Sequence, residues 1–214
     1  MSQISELDGT IYSCQMTELL RASEPMSYWD FRQDLRPLLH GNITLPVFLV
    51  GLLTRIFNYV QRVRSGTPYP FRPNGETKRT PREDLGLRPG DIVRVRSRDA
   101  IAKTLNANSR NRGFWFDREM LKLCDKRFVV RRRVDRLIAE NTGRMVTMET
   151  PCITLEEGTA TGEFLRFCPQ SEYIFWRECW LQRDDSPAEI NSLNVMPCSI
   201  HKRLHGSPST RPAI

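Results

Sequence analysis

The longest apolar stretch of the chain covers residues 43–60 and carries its hydrophobic side chains at helical spacing. Arg55 and Asn58 interrupt it, so its uninterrupted apolar part is far shorter than the ~20 residues that a membrane span needs. Pro46 falls in the first turn, where a helix tolerates proline. We expect a helix that is buried or covered by a partner, and no membrane span. The residues that recur every three or four positions are Val47, Val50, Leu53, Phe57 and Val60.

The rest of the N-terminal half divides by composition. Residues 1–25 are polar and without a period, which predicts a flexible arm. Residues 26–64 form a helical segment, in which an amphipathic stretch runs to Pro37 and a break at residues 40–42 precedes the apolar helix. Residues 65–84 hold four prolines and two glycines, the composition of an extended linker that wraps or tethers.

Residues 85–183 are the part most like an independent module. Pro89-Gly90 predicts a turn, and a short strand follows it from Ile92 to Val95. Ser97 and Asp117 each precede a short helical pattern and can cap it, because their side chains accept hydrogen bonds from exposed amides. Two further strands are predicted by β-branched and aromatic residues, in the segments CITLEE and YIFWRECWLQR.

The stretch from Cys124 to Val146 fits either a helix or a β-hairpin. Helical spacing relates Val130, Val134, Leu137 and Ile138. The hairpin is favoured by the run Phe128 to Val130 and by a turn at residues 140–144, where Gly143 can take positive φ. Strand, turn and strand account for the whole stretch, whereas a helix accounts for its middle only. We therefore expect a hairpin that projects charges from both of its faces, among them Arg131, Arg132 and Arg133.

Together these elements predict an α+β protein with a small, strongly bent sheet. A turn, a strand, short helical connectors and three more strands suit an SH3-like β-barrel with short helical insertions, preceded by an N-terminal helical arm. Barrels of this size are usually binding modules, although a fold does not determine a function.

Several short motifs run through residues 65–183: LRPGDIVRVRS, a helix that ends in TLN, MLKLC, RFVVRRRVDR, and a close made of FCPQ and YIFWRECWLQR. In combination they resemble a family of largely uncharacterised bacterial proteins. Members tend to be encoded beside biosynthetic genes for natural products or surface glycans. The resemblance thus implies a role in such a pathway, and it implies no particular reaction.

The resemblance also implies a cysteine-ligated metal site. Typical members have one cysteine after ML, a second before a GE step and a third before proline, with a histidine between the last two. Cys124 and Cys168 match the first and third, whereas Ala160 and Leu165 occupy the other two positions. Cys152 and Cys179 are candidate replacement ligands, although they come from different strands without motif spacing, and zinc or an iron–sulfur cluster is the candidate cofactor. The alternative is that these cysteines are small buried apolar residues.

The net charge of +7 fits an acidic partner, such as nucleic acid, an anionic membrane surface or an acidic protein. On a membrane surface, residues 43–60 would lie in the interface with Arg62 and Arg64 beside them. The six cysteines form no CxxC or CxC pair, and the N-terminus lacks a signal-peptide pattern. We expect a cytoplasmic protein with reduced thiols.

Aromatic and basic residues lie side by side in RNRGFWFDR and YIFWRECW, as in platforms that bind single-stranded nucleic acid. The candidate residues for nucleic-acid or acidic-partner binding are Arg110, Arg112, Arg131, Arg132 and Arg133. The alternative, which we favour, is that the aromatic residues fill the core: Phe114, Trp115, Phe116, Phe175 and Trp176.

The remaining motifs of the sequence do not identify a catalytic site. No nucleophile elbow, HExxH, P-loop or GxGxxG is present. Glu178 lies within an aromatic strand pattern, so it either faces outward or is paired. Arg177 would face the opposite side of that strand. Residues 184–214 have no sustained pattern and predict a disordered tail, in which we attribute the ligand-like spacing of CSIHKRLH to coincidence.

The leading hypothesis is a non-catalytic accessory or binding protein that acts with a partner enzyme, carrier or peptide of a biosynthetic pathway. One alternative is a cysteine-ligated metalloprotein or metalloenzyme of such a pathway. The other is a basic nucleic-acid-binding protein.

Overall fold

The structure is a computed structural model that describes residues 10–25, 27, 30 and 32–184. The helices are α1 (Gln15–Arg21), α2 (Arg32–Leu39), α3 (Leu45–Val63) and α4 (Arg98–Ala102). The strands are β1 (Ile92–Val95), β2 (Arg110–Asn111), β3 (Phe114–Trp115), β4 (Arg127–Ile138), β5 (Met145–Thr159), β6 (Tyr173–Trp176) and β7 (Leu181–Arg183). Two 3-10 turns lie at Glu119–Leu123 and Glu178–Trp180. The α+β prediction is confirmed, while the expected tail beyond Asp184 lies outside the described residues.

Five strands form one antiparallel sheet in the order β6-β5-β4-β1-β7. β6 and β7 stand at its opposite edges, yet only the 3-10 turn Glu178–Trp180 joins them. A flat sheet would place these edges about 19 Å apart, and a 3-10 turn that rises about 2 Å per residue does not reach so far. The sheet therefore bends strongly. Register shifts in the β4–β5 ladder, at residues 130–132 and 134–136, contribute to the bend.

The stretch from Cys124 to Val146 forms the predicted hairpin, and the helical alternative is wrong. β4 and β5 pair across a turn in which the Gly143 amide donates to the Ala139 carbonyl over 2.7 Å. Gly143 has a φ of 70°, which is the left-handed conformation that the prediction assigned to it.

Two local predictions need correction. The segment YIFWRECWLQR breaks into β6, a 3-10 turn and β7, because the turn buries Glu178 and Trp180 in tertiary contacts that outweigh β propensity. The second short helix is a 3-10 turn without a side-chain cap at its start, whereas Asp117 accepts from the neighbouring Arg118 amide. At the first helix the prediction is confirmed, since Ser97 accepts from the Ala100 amide.

The core lies between the bent sheet and the connections that cross it. It contains Val93 and Val95 from β1, Leu155 from β5, and the fully buried rings of Phe116, Trp176 and Trp180. The ring centroids of Phe116 and Trp180 are 5.3 Å apart at an interplanar angle of 88°, an edge-to-face packing that aromatic pairs prefer. Of the five aromatic residues expected in the core, Trp115 is the exposed one.

Residues 65–84 wrap around the module rather than tether it. The amides of Gly75 and Thr77 donate to the Asn106 and Leu105 carbonyls over 3.2 and 3.3 Å. The Asn111 side chain donates to the Pro81 carbonyl over 3.1 Å. The packed unit therefore begins well before residue 85.

The N-terminal residues are more regular than the sequence suggests. α1 forms within the part expected to be a flexible arm, and the Tyr12 amide donates to the Gly143 carbonyl over 2.7 Å. α2 continues through Pro37 to Leu39, although we expected the helix to end at the proline. The predicted long helix is confirmed as α3, with its proline in the first turn.

Candidate functional site

α3 exposes most of its apolar residues to solvent, and the side that packs against the protein carries Phe48 and Gly51 together with polar residues such as Arg55 and Asn58. The stripe expected to be buried or partner-covered is between 40% and 66% exposed, so the described residues do not bury it. We call the exposed side of the helix the apolar face of α3. Its members are Leu45, Val47, Leu49, Val50, Leu52, Leu53, Ile56, Phe57, Tyr59, Val60 and Val63. No helix in the described part of the chain is both long and apolar enough to cross a membrane.

An ion-pair cluster fixes the orientation of α3. Arg55 Nη1 lies 2.8 Å from Asp34 Oδ2, which joins α3 to α2. Arg166, in the β5–β6 connection, donates to both oxygens of Asp34 over 2.9 Å in a bidentate arrangement. Burial alone would raise the pKa of Asp34, but the hydrogen bonds from Arg166 and Arg55 outweigh it and hold the pKa below its usual value of 3.8.

Apolar and backbone contacts complete the docking of α3. The rings of Phe48 and Phe167 pack with their centroids 5.6 Å apart. Gly51 lets the helix approach closely, because a Cβ there would overlap the Phe167 ring. The Asn58 side chain accepts from the Tyr69 amide and donates to its carbonyl, over 2.6 and 2.7 Å. These contacts turn the polar side of α3 inward and leave its apolar face outward.

The structure places the candidate metal ligands Cys124, Cys152 and Cys168 apart. Cys124 lies between a 3-10 turn and β4, with its Sγ 3.8 Å from the Met120 carbonyl oxygen. Cys152 is fully buried on β5, 3.5 Å from the Arg177 guanidinium. Cys168 is half-buried in the β5–β6 connection. Among the described residues, no three His, Cys, Asp or Glu side chains are close enough to hold a metal ion.

Burial raises the pKa of Cys124 to about 11 and raises the pKa of Cys152 as well. Thiolate sites for zinc or iron–sulfur clusters need about four ligands that converge on one point, and the described residues offer no group of three. The described residues therefore do not fit the cluster or the ion that the family resemblance implies.

The three consecutive arginines of β4 have different surroundings. Arg131 stacks over the Tyr173 ring at 3.9 Å. Arg133 forms an ion pair with the buried carboxylate of Glu178 and a second one with Asp84. Arg132 is exposed. They do not form one shared binding surface.

Glu178 is paired, as one of its two predicted alternatives required. Besides the ion pair with Arg133, it accepts a hydrogen bond from the Leu85 amide. Arg177 donates to the Thr150 carbonyl and lies over the Phe114 ring at 5.0 Å. Both residues thus have structural roles in holding the 3-10 turn between β6 and β7.

The β2–β3 hairpin carries the remaining candidate arginines. Arg112 and Gly113 have φ values of 44° and 82°, which is typical of a two-residue type I′ turn. Arg112 is exposed at this turn, and Arg110 donates to the Gly113 carbonyl over 2.7 Å. The hairpin turns Trp115 toward a cleft of about 490 Å³ that also receives Arg110.

Two further arginines line this cleft. The Arg72 guanidinium lies 4.0 Å from the centre of the Trp115 ring. Arg118 stands between this cleft and a second cavity of about 520 Å³ below α3. The sequence did not indicate Arg72 as a site residue, because it lies in a stretch with the composition of a linker. Only the fold brings that stretch next to the β2–β3 hairpin.

No protein-family model and no curated protein matches the chain. The apolar face of α3 and the cleft beside Trp115 are the two candidate binding surfaces of the described residues.

Proposed function

We propose that this protein is a non-catalytic binding protein that docks onto a partner protein through the apolar face of α3. The observation that carries the proposal is the reversed orientation of this helix. Monomeric proteins rarely expose a contiguous apolar patch of more than a few hundred Å², and a 19-residue helix offers a strip about 28 Å long. The tight docking of its polar side supports a fixed surface rather than a loosely attached segment.

The charges around this face suggest the chemistry of the partner. The apolar face itself carries no ionised group, so the partner must offer an apolar groove. Arg62 and Arg64 are exposed at the C-terminal end of α3, and Arg36 is exposed on α2. These arginines and the net charge of +7 favour a groove with an acidic rim and disfavour a second copy of the same chain. The partner we infer is an acidic enzyme or carrier of a biosynthetic pathway.

We propose an SH3-like barrel as the scaffold that presents α3. The order β6-β5-β4-β1-β7 supports this assignment, as does the 3-10 turn between the last two strands. Small barrels of this kind serve mainly as binding modules, which agrees with the docking role. The five described cysteines are all free, which agrees with a reducing compartment such as the cytoplasm.

Co-expression with the proteins encoded by the neighbouring genes tests the proposal. We expect a stable complex with one of them, detected by size-exclusion chromatography with light scattering. Leu53→Glu should break it, because a charge would enter the apolar interface. The matched control is Leu165→Glu, which alters a similarly exposed leucine outside α3 and should leave the complex intact.

Three outcomes would overturn the proposal. The first is a wild-type chain that stays monomeric with every neighbouring protein. The second is a complex that tolerates Leu53→Glu. The third is a homodimer that Leu53→Glu dissociates, since this would identify a second copy as the occupant of the apolar face.

A further inference from the structure

The cleft beside Trp115 is a cluster of cations without matching acids. Among the described residues that line it, three are arginines and none is acidic. Apart from Trp115, the remaining lining residues are polar or small, and none of the lining residues comes from α3. The cleft is thus separate from the apolar face of α3. The arginines are Arg72, Arg110 and Arg118.

The guanidinium groups of this cleft are poorly compensated by the protein. Within the described structure, the Nε atoms of Arg72 and Arg118 are buried without a hydrogen-bond partner. Arg118 Nη1 makes one long hydrogen bond, 3.4 Å from the Tyr69 carbonyl oxygen. Burial and the positive charge of Arg72 lower the pKa of Arg118, and Asp117 opposes this effect. Two neighbouring cations in a partly desolvated cleft favour a bound anion.

The exposed ring of Trp115 beside these cations favours an anion that also carries an aromatic group. Trp115 is 40% exposed, whereas Trp176 and Trp180 are fully buried. Arg72 stacks on its ring, and Arg110 lies 5.9 Å from the ring centre. An exposed indole among guanidinium groups can stack on a base while the arginines hold its phosphate. The volume of about 490 Å³ is within the usual range for small-ligand pockets.

We propose that this cleft binds a nucleotide unit, with its phosphate between Arg72 and Arg118 and its base against Trp115. The nucleotide can be free or part of a single strand, and the test separates these two sources. A phosphate there would accept hydrogen bonds from these guanidinium groups and relieve the repulsion between Arg72 and Arg118. The proposal is independent of the docking role of α3, since it uses a different surface.

Titration calorimetry of the full chain tests the proposal with four probes: AMP, a thymidine hexanucleotide, inorganic phosphate and a hexaglutamate peptide. We expect both nucleotide probes to bind more tightly than phosphate, with affinities that fall as salt rises. A hexanucleotide affinity well above that of AMP would identify a single strand as the source, and equal affinities would identify the free nucleotide. No binding of either nucleotide at millimolar concentration would overturn the proposal, as would equally tight binding of hexaglutamate.

Substitutions locate the site. Arg72→Gln and Arg118→Gln should each weaken nucleotide binding by about tenfold or more, because each removes charge-assisted hydrogen bonds. Arg132→Gln removes the same charge at an exposed position on β4 and should change the affinity less than twofold. Equal losses in all three variants would show that net charge alone attracts the probe, which contradicts a built site.

Two readouts separate a binding residue from a structural one. Arg118→Gln should not lower the thermal midpoint of the free protein, since it removes a desolvated cation beside another cation. Trp115→Ala should weaken AMP binding by about tenfold and leave phosphate binding unchanged. A lower midpoint in Arg118→Gln, or phosphate and AMP weakened alike by Trp115→Ala, would contradict the assignment.

Discussion

At the scale of single residues, burial and ion pairing distinguish charged side chains that stabilise the fold from those that are free to bind a ligand. Glu178 is 3% exposed and holds both the Leu85 amide and Arg133, so it stabilises the turn between the sheet edges. The sequence could predict that a carboxylate in an aromatic segment is outward or paired. It could not predict the partner, because Arg133 is 45 residues away in the chain and only the bent sheet brings the two together.

Glu178→Ala should therefore lower the free energy of unfolding by about 3 kcal/mol, because it removes the buried carboxylate from Arg133, which keeps only its exposed partner Asp84, and leaves the Leu85 amide without an acceptor. Urea denaturation at pH 7 measures the loss. Glu156→Ala is the control, since Glu156 is exposed on the same sheet and should change stability by less than about 0.5 kcal/mol. Equal losses in the two variants would show that the buried ion pair contributes nothing.

The described cysteines differ in the expected reactivity of their thiols. Hydrogen bonding to the Thr17 amide lowers the pKa of Cys14, whereas burial raises the pKa of Cys124 and Cys179 to about 11. Iodoacetamide at pH 7.5 should therefore alkylate Cys14 well before the other two, as mapped by mass spectrometry of the folded protein. Faster labelling of Cys124 would contradict the raised pKa of this half-buried thiol and would reopen its candidacy as a metal ligand.

At the scale of elements, periodicity predicts α3 but not the side that faces the protein. Apolar residues every three or four positions predict the helix and a stripe. The side of α3 that docks is determined by Asp34, which lies outside the helix and forms ion pairs with Arg55 of α3 and with Arg166. These three residues are far apart in the sequence, and only the fold brings them together. The hairpin of β4 and β5 was predictable from the sequence, because its turn and both of its strands lie in one continuous stretch of the chain.

The Asp34 cluster predicts how α3 docking responds to acid. The pKa of Asp34 in the folded protein is below the ordinary 3.8, so the unfolded chain takes up a proton first as the pH falls. The stabilisation is present at neutral pH and is lost progressively below about pH 5. Asp34→Asn should therefore be less stable than wild type at pH 7, and urea denaturation should show this difference shrinking toward pH 3. A difference that is constant with pH would exclude the ionised carboxylate as its source.

At the scale of the whole molecule, one bent sheet supports two candidate binding surfaces. The β5–β6 connection holds the helical segment, and the β2–β3 hairpin contributes to the cationic cleft, which shares Arg118 with the cavity below α3. Composition shows a basic protein with a net charge of +7, and it does not locate that charge on the surface. The two surfaces themselves were beyond prediction from sequence, because residues 65–84 looked like a linker and proved to be a packed part of the module.

α3 docks through the side that carries Phe48 and Arg55, and its apolar face points outward. Urea denaturation of Leu53→Glu and Phe48→Ala at low protein concentration tests this orientation through the free energy of unfolding of each variant. Leu53→Glu should stay within about 0.5 kcal/mol of wild type, as should the control Leu165→Glu. Phe48→Ala, at the docked side, should cost about 3 kcal/mol. A Leu53→Glu variant that loses as much stability as Phe48→Ala would show that the apolar face is packed inside the protein and would contradict the account.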